Sequence, residues 1–534
     1  MEENKEMTAL QPNTGDTVQA PGFSGADVVF AWLSLLLGFM FCQCFPAMNY
    51  PFGGFLFKTV LYIATAVILL VQKVRIPLTC WLSALSAIVI SGALVLTDNG
   101  FLVFCANAYG LVAYCHFVFA AFGNGVERGF SNFAFVDYWK ALFVVPYRSF
   151  VSIFKALGQG GKNKSSMGFV KVLLGIGLTV IPTVIIISNL SHFADFSRIM
   201  KKIFDWESLN VGRLIASLIF ALPLGMYGFG LYRTSKSGRY QGHATVEGCQ
   251  KGIRKLRILP QITAVTVVLP ILFLYGVFFV SQWKYYVSGF TGILPEGFSH
   301  ADYAREGFFQ LCTVSAVNLV VILALVIFTK RKKAGSVLLK LICTVFCLCT
   351  LVLIATAVAK MLLYIRSYGL TPKRIYATWF MGVIAVVFIL VALGQYVTRM
   401  KAVAASAVAC IVLFAGLSLC NVNYLCARYN VDRYLDGSLK TVDIDAMEDL
   451  GPSAVPVLLE LQTTLKQEYR EEALQKELGE YLENYAEELV FDKKHEYISD
   501  SIFAYNLPSY QAEEALREAG YTVDPPVEEE AKAE

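Results

Sequence analysis

Charged residues are scarce in this chain of 534 residues, and their scarcity excludes an ordinary soluble protein. Only 16% of the residues are charged and 56% are hydrophobic, whereas a soluble chain carries about 25% charge. A chain with so little charge must place most of its length in an apolar environment.

The chain also lacks the residue patterns of familiar catalytic and cofactor sites. Its five histidines are scattered, and none pairs with another at metal-ligand spacing. Gly158 to Lys162 superficially resembles a phosphate-binding loop, but Asn163 stands where that loop requires Ser or Thr. No cysteine follows Cys426, so disulfides cannot stabilise the C-terminal region. We therefore predict no metal and no cofactor.

Long continuous apolar runs fill most of the chain. A helix of roughly 20 apolar residues crosses a hydrocarbon core, and continuous rather than alternating runs indicate helices instead of barrel strands. We predict an all-α protein: a polytopic transmembrane bundle of about eleven spans, followed by a small soluble α-helical domain. The predicted spans are 27–45, 54–72, 78–96, 101–122, 169–189, 211–231, 260–281, 308–328, 337–359, 375–394 and 401–420.

Charge divides the chain into two parts. Residues 421–534 hold 10 of the 45 Lys and Arg and 26 of the 41 Asp and Glu, a net charge of −16, so residues 1–420 carry +20. A basic membrane region is typical of contact with anionic lipid headgroups rather than with nucleic acid. The predicted domains are a disordered cytoplasmic tail at 1–24, a membrane domain at 25–421, a soluble acidic helical domain at 436–523 and a disordered tail at 524–534.

Basic residues in the loops set the predicted orientation. One set of alternate loops holds 21 Lys and Arg, and the opposite set holds nine. Because basic loops stay in the cytoplasm, we predict a cytoplasmic N-terminus and an extracytoplasmic C-terminal domain at the cell membrane. One outer loop departs from the rule, since it would hold Lys360, Arg366, Lys373 and Arg374.

Two amphipathic segments are predicted to lie along the membrane surface. Residues 137–157 place Trp139 and Phe154 on one helical side and basic residues elsewhere. Residues 195–207 repeat apolar residues at helical spacing among basic ones. Such helices anchor a protein at the lipid–water interface. They are either ordinary loop helices that cap the bundle or lipid-sensing elements.

Polar residues gather in three segments at the predicted outer surface. On a helix, Asp302, Glu306 and Gln310 would share one face. Lys373 and Arg374 would begin the tenth span, where the helix dipole disfavours cations. We predict a cluster of His300, Asp302, Arg305, Glu306, Gln310, Asn318, Arg366, Lys373, Arg374, Asp432 and Arg433.

The excess positive charge in this cluster calls for acidic neighbours. We expect Asp302 or Glu306 to pair with Lys373 or Arg374, which would join the eighth span to the tenth. Such a pair would either brace the bundle or leave enough positive charge to bind an anion or a lipid headgroup.

The same three segments carry a family resemblance. The runs HADYAREGFFQLCTVSAVN, YGLTPKR and NVDRYLDG, the last followed by LGPSAVPVLLEL, resemble an uncharacterised bacterial membrane family, domain of unknown function 4173, related to 4153. The likeness covers residues 260–465. It implies a bacterial polytopic membrane protein with no established activity, and it supplies no catalytic residues.

Three classes of function remain open. The favoured one is a non-catalytic scaffold or sensor that presents the C-terminal domain, to a protein partner for example, outside the cell. The alternatives are a transporter or lipid-handling protein and a membrane enzyme with an acidic outer site. The scarcity of charges inside spans weighs against transport, and the lack of a nucleophile or metal motif weighs against catalysis.

Overall fold

The chain is helical throughout the residues that the computed structural model describes. Apart from turns, these residues contain a single isolated bridge, between Leu259 and Thr329. This confirms the predicted all-α class for the described part of the chain. The described residues are 22–44, 50–127, 129–159, 211–237, 245–281, 300–330, 336–397, 400–468, 471–494 and 502–525.

The first part of the chain forms long helices joined by short ones. Helix α5 begins at an asparagine cap, since the side chain of Asn99 accepts a hydrogen bond from the Leu102 amide. The helices are α1 (Gly25–Cys44), α2 (Pro51–Val71), α3 (Leu78–Ser91), α4 (Ala93–Leu96), α5 (Gly100–Ala121), α6 (Ala134–Phe143), α7 (Val145–Arg148), α8 (Ser152–Gln159) and α9 (Val211–Lys236).

The second part continues with long apolar helices and ends in shorter polar ones. The helices are α10 (Val246–Leu256), α11 (Gln261–Ser281), α12 (His300–Phe328), α13 (Ser336–Tyr368), α14 (Pro372–Leu393), α15 (Ala402–Leu419), α16 (Val422–Leu435), α17 (Ile444–Glu448), α18 (Val455–Glu468), α19 (Glu472–Lys494) and α20 (Leu507–Glu518). Two 3-10 turns, Gly451–Ala454 and Ile502–Ala504, lie among the last four helices. We call the described residues 444–525 the cap.

Eight helices in the described part of the chain are long and apolar enough to cross a membrane. They are α1, α2, α3 with α4, α5, α11, α13, α14 and α15, and α12 contains a shorter apolar segment, Cys312–Phe328. The predicted span 169–189 lies outside the described residues, and α9 occupies the predicted span 211–231 without being among the eight. The count of about eleven is therefore not confirmed.

The ninth predicted span is longer than its hydropathy indicates. Helix α13 continues through Lys360 and Arg366 to Tyr368, because Met361 and Ile365 carry its buried face onward. Lys360 is 1% exposed inside this helix. Placing Lys360 and Arg366 in an outer loop was therefore wrong, and only three residues separate α13 from α14.

Contacts between loops divide the bundle into two ends. At one end, α2, α4, the start of α5 and the α13–α14 turn all contact the cap or α16. At the opposite end, Lys401 pairs with Glu127, and Tyr232 near the end of α9 donates to Gln72 after α2. The two sets of loops that the sequence assigns to opposite sides of the membrane therefore lie at opposite ends of the described bundle.

The cap shares a hydrophobic core with the membrane helices. One cluster of buried side chains joins Leu102 of α5 and Leu417 of α15 to Leu458 and Leu482 of the cap. Helix α16 contributes Val422 and three further buried residues, Cys426, Ala427 and Val431. The predicted boundary at residue 436 therefore runs through a continuous core.

The predicted interfacial segment 137–157 forms three short helices, α6 to α8. Asp137 and Ile153 are buried against the bundle, whereas Trp139 is 54% and Phe154 is 49% exposed. Helix α7 begins at Val145, and Pro146 occupies its first turn, where proline is tolerated. Whether it lies along a membrane remains a prediction, and residues 195–207 lie outside the described residues.

Candidate functional site

A network of buried amides and one carboxylate joins the cap to the loop between α4 and α5. Asp98 Oδ1 accepts a hydrogen bond of 2.8 Å from Asn423 Nδ2, and Asp98 Oδ2 accepts one of 3.2 Å from the Ser453 amide. Asn423 Nδ2 also donates to the Leu450 carbonyl at 3.0 Å, and its Oδ1 accepts from Asn99 Nδ2 at 3.2 Å. We call this network the polar junction.

Helix-capping residues build the polar junction. Asn99 caps α5 and Asn421 caps α16 through their Oδ1 atoms, as Asn does at the start of a helix. Asn421 Oδ1 also accepts from Ser453 Oγ at 3.1 Å. Ser453 lies within the 3-10 turn Gly451–Ala454, and Asp98 accepts a hydrogen bond from its amide.

A third helix-capping residue, Asn506, fastens the C-terminal helix α20 to the same loop. Asn506 caps α20, and its Nδ2 donates to the carbonyls of Leu94 and Thr97, each at 3.1 Å. These carbonyls lie at the end of α4, where a helix leaves its last carbonyls without partners inside the helix. The cap thereby completes the hydrogen bonding of a membrane helix.

Asp98 is the charged centre of the polar junction. Burial raises the pKa of its carboxyl group, and the hydrogen bonds from Ser453 and Asn423 act in the opposite direction. Among the described residues no cation lies within ion-pair distance of it. Its hydrogen-bond donors therefore carry the stabilisation that a counter-ion would otherwise supply.

A second network fixes the turn between α13 and α14. Asn430 of α16 accepts from the Leu370 amide at 2.6 Å and donates to the Leu370 carbonyl at 2.8 Å. Arg433 Nη1 donates to the Arg366 carbonyl at 3.1 Å. Arg374 donates to the carbonyls of Tyr368, at 2.9 Å, and Gly369. We call this network the turn clamp.

Gly369 is required by the turn clamp. Its φ of +78° lies in the left-handed region, and a Cβ added there would stand 2.5 Å from Asn430 Oδ1. Only glycine combines that conformation with so close an approach. The sequence motifs YGLTPKR and NVDRYLDG therefore form one structural unit.

The structure brings part of the predicted outer cluster together. Arg366, Arg374 and Arg433 meet at the turn clamp, although through backbone carbonyls instead of carboxylates. Asp432 pairs with Arg428 at 3.0 Å on the surface, and Lys373 is exposed. The guanidinium of Arg374 lies 4.0 Å from the ring centre of Tyr364.

The remaining predicted residues belong to α12. The side chains of His300, Asp302, Arg305 and Glu306 lie outside the described residues, so their pairing with Lys373 or Arg374 stays a prediction. Gln310 is exposed.

Asn318 is 1% exposed and lies well inside the bundle. It accepts from the Tyr275 hydroxyl at 2.5 Å and donates to Thr350 Oγ1 at 2.7 Å. Asn318 therefore joins α11, α12 and α13 inside the bundle, as polar residues of membrane helices commonly do.

The opposite end of the bundle holds a buried ion cluster that sequence reasoning missed. Asp27 of α1 binds Arg233 at 3.1 Å and Lys236 at 2.6 Å, and the hydroxyl of Tyr232 also donates to it. The signal was an acidic residue in the first turn of the first span. It could have suggested a basic partner at the same membrane level.

One cation inside a span has no hydrogen-bond partner in the described part of the chain. Lys58 Nζ is buried within α2, and it lies 3.8 Å from the position that a Cβ on Gly110 of α5 would occupy. Buried unsatisfied polar groups call for an explanation such as water or an ion.

The described residues contain no group of three or more His, Cys, Asp or Glu side chains that could hold a metal ion. The polar junction offers hydrogen-bond donors and acceptors that satisfy one another. Its chemistry is that of attachment between two parts of the chain. Asp98, Asn423 and Asn506 were missed because they are distant in sequence, although each adjoins a helix start where Asn or Asp signals a cap.

Comparison with known proteins identifies a family and no characterised relative. A family model described as Domain of unknown function (DUF4153) matches residues 84–461, more than half of the chain. The match confirms the resemblance seen in the sequence and extends it toward the N-terminus. No curated protein and no solved structure matches the chain.

Proposed function

The chain belongs to the DUF4153 family of unknown function, and from that premise we propose that it is a multi-pass membrane scaffold or sensor. Its apolar helices are those of an integral membrane protein. In the proposed arrangement the N-terminus is cytoplasmic, and the cap is a non-catalytic domain presented outside the cell for a protein partner.

The polar junction is the observation that supports this proposal best. A domain used for presentation must be held in a fixed position, and Asp98, Asn423 and Asn506 hold the cap to the ends of three spans. Each hydrogen bond to a charged group contributes about 1.5–3 kcal/mol. The surplus of basic residues in the loops at the opposite end supports the proposed orientation.

Site-directed labelling tests the orientation. Lys476 in the cap and Lys251 at the opposite end would each be changed to Cys in a chain lacking the native Cys249 and Cys420. A membrane-impermeant maleimide should label Lys476→Cys on intact cells and Lys251→Cys only after permeabilisation. The reverse pattern would refute an extracytoplasmic cap, and labelling of both on intact cells would show leaky cells and require repetition.

Lys58 favours a second candidate, a transporter or lipid-handling protein. An ammonium group buried in a span without a partner among the described residues is a functional-site hypothesis by default. If it binds an anionic lipid or substrate, phosphatidylglycerol should raise the unfolding temperature of the wild type more than that of Lys58→Met. Equal shifts would reject the candidate. The third candidate, an enzyme with Asp302 and Glu306 in its site, stays a prediction from sequence.

A further inference from the structure

An exposed apolar edge of the cap lies at the level where the membrane helices end. Its residues lie in the 3-10 turn Ile502–Ala504, directly after that turn and in the first turn of α20. Ile502 is 70% exposed, Tyr505 is 37% and Tyr510 is 51%. The rings of Tyr505 and Tyr510 lie 5.7 Å apart, so they form one surface. We call these three residues the aromatic edge.

Contacts with two spans fix the position of the aromatic edge. A Cβ added to Gly53, in the first turn of α2, would lie 3.3 Å from Phe503 Cβ. Asn506 binds the carbonyls of Leu94 and Thr97 at the end of α4, directly before α5 begins. Because α2, α4 and α5 start or stop within a few residues of these contacts, the aromatic edge is level with the membrane boundary.

We propose that the aromatic edge inserts into the headgroup region of the adjacent lipid leaflet. Tyrosine is enriched at membrane–water interfaces, where its ring is covered and its hydroxyl stays hydrated. Contact with lipid would remove the apolar surface of Ile502 from water, which is favourable by about 25 cal/mol per Å² of apolar surface. On α2, Leu56 and Val60 follow Gly53 by three and seven residues, so these side chains, 38% and 40% exposed, lie on the side of the helix that contacts Phe503.

The occupant is therefore lipid, and the cap is a membrane-contacting domain instead of one surrounded by water. This inference holds whichever side of the membrane carries the cap. It goes beyond the proposed scaffold role, because that role requires attachment to the spans alone.

Photolabelling of the unmodified protein tests the inference. The wild type would be placed in lipid nanodiscs containing a phosphatidylcholine with a diazirine near the headgroup. After irradiation, peptides spanning residues 502–510 should carry severalfold more lipid adduct than peptides around Lys476, whose side chain is 79% exposed in the same cap. Equal labelling of the two regions would overturn the proposal.

A spin label separates lipid from other occupants. Ile502→Cys, in a chain lacking the exposed Cys420, would carry a nitroxide, and Lys476→Cys would serve as the matched control. Higher collision rates with oxygen than with a water-soluble nickel chelate at position 502 would support lipid contact. Collision with the nickel chelate as frequent as at position 476 would show that water covers the aromatic edge. Shielding from both reagents would assign the surface to a protein, such as a second copy of the chain. Either of the last two results would overturn the proposal.

Discussion

Replacing Asp98 by Ala should weaken the docking of the cap onto the membrane helices without unfolding these helices. The change removes the two carboxylate oxygens from the polar junction and leaves the Ser453 amide without this acceptor, whereas Asn423 Nδ2 keeps the Leu450 carbonyl. Hydrogen bonds to a charged group contribute about 1.5–3 kcal/mol each. Against this, the variant no longer buries a carboxyl group whose pKa burial raises. We therefore expect docking of the cap to weaken by about 2–3 kcal/mol.

Hydrogen–deuterium exchange in nanodiscs measures this loss directly. Since about 1.4 kcal/mol is a tenfold change in an equilibrium, the cap should open roughly 30- to 100-fold more often. Amides of α16 and of the turn at Gly451–Ala454 should exchange faster by that factor, while amides of α13 and α14 keep their protection. This opening is local, so the free energy of unfolding of the spans should be nearly unchanged.

Asp432→Ala is the matched control for Asp98→Ala. Asp432 is also an aspartate near the cap, but it pairs with Arg428 on the exposed surface. Exposed ion pairs contribute about 0–1 kcal/mol, so its exchange rates should stay close to wild type. If the Asp98 variant exchanges no faster than the Asp432 variant, the polar junction does not hold the cap, and the shared hydrophobic core must do so.

Three further predictions follow from other parts of the fold. Gly369→Ala should lower the unfolding temperature by several degrees, because the added Cβ would stand 2.5 Å from Asn430 Oδ1 and the φ of this residue is +78°. In the control Gly382→Ala, the added Cβ would have no atom within 4 Å, so the unfolding temperature should not fall. Burial raises the pKa of Asp137 from 3.8 to about 6. The folded state therefore holds its proton more tightly, so stability should fall as the pH rises from about 4 through 6, and Asp137→Asn should remove that part of the slope in thermal unfolding. A fragment beginning at Asn421 should be more helical and more stable by circular dichroism than one beginning at Asp436, because α16 completes the core. Equal stability of the two fragments would show that the boundary predicted at residue 436 is correct.

Hydropathy located the described membrane helices because lipid imposes a simple requirement on them. The predicted span 101–122 corresponds to Gly100–Ala121, and 54–72 corresponds to Pro51–Val71. Hydropathy failed to locate the end of a helix where a charged residue is buried. Lys360 ended the ninth predicted span, yet it is buried in a helix that continues for eight more residues.

The polar junction could not be predicted from one sequence, although its parts carry local signals. Asp98 and Ser453 are separated by 355 positions, and no periodicity relates residues that meet only through tertiary packing. The turn clamp was partly predictable, since the sequence placed both of its motifs in polar segments at one membrane surface. Their joining through Asn430 depends on side-chain geometry that spacing does not encode.

The attachments made by the cap and by α16 together have a mechanical consequence. Membrane helices adjust to thicker or thinner bilayers by changing their tilt. The cap grips α4 through Asn506, while α16, whose buried face lies in the same core, grips the α13–α14 turn through Asn430. Tilting one group of spans relative to the other would pull these two attachment points apart, and a stiff helical body between them would resist. The cap and α16 would thus couple the tilt of these two groups of spans.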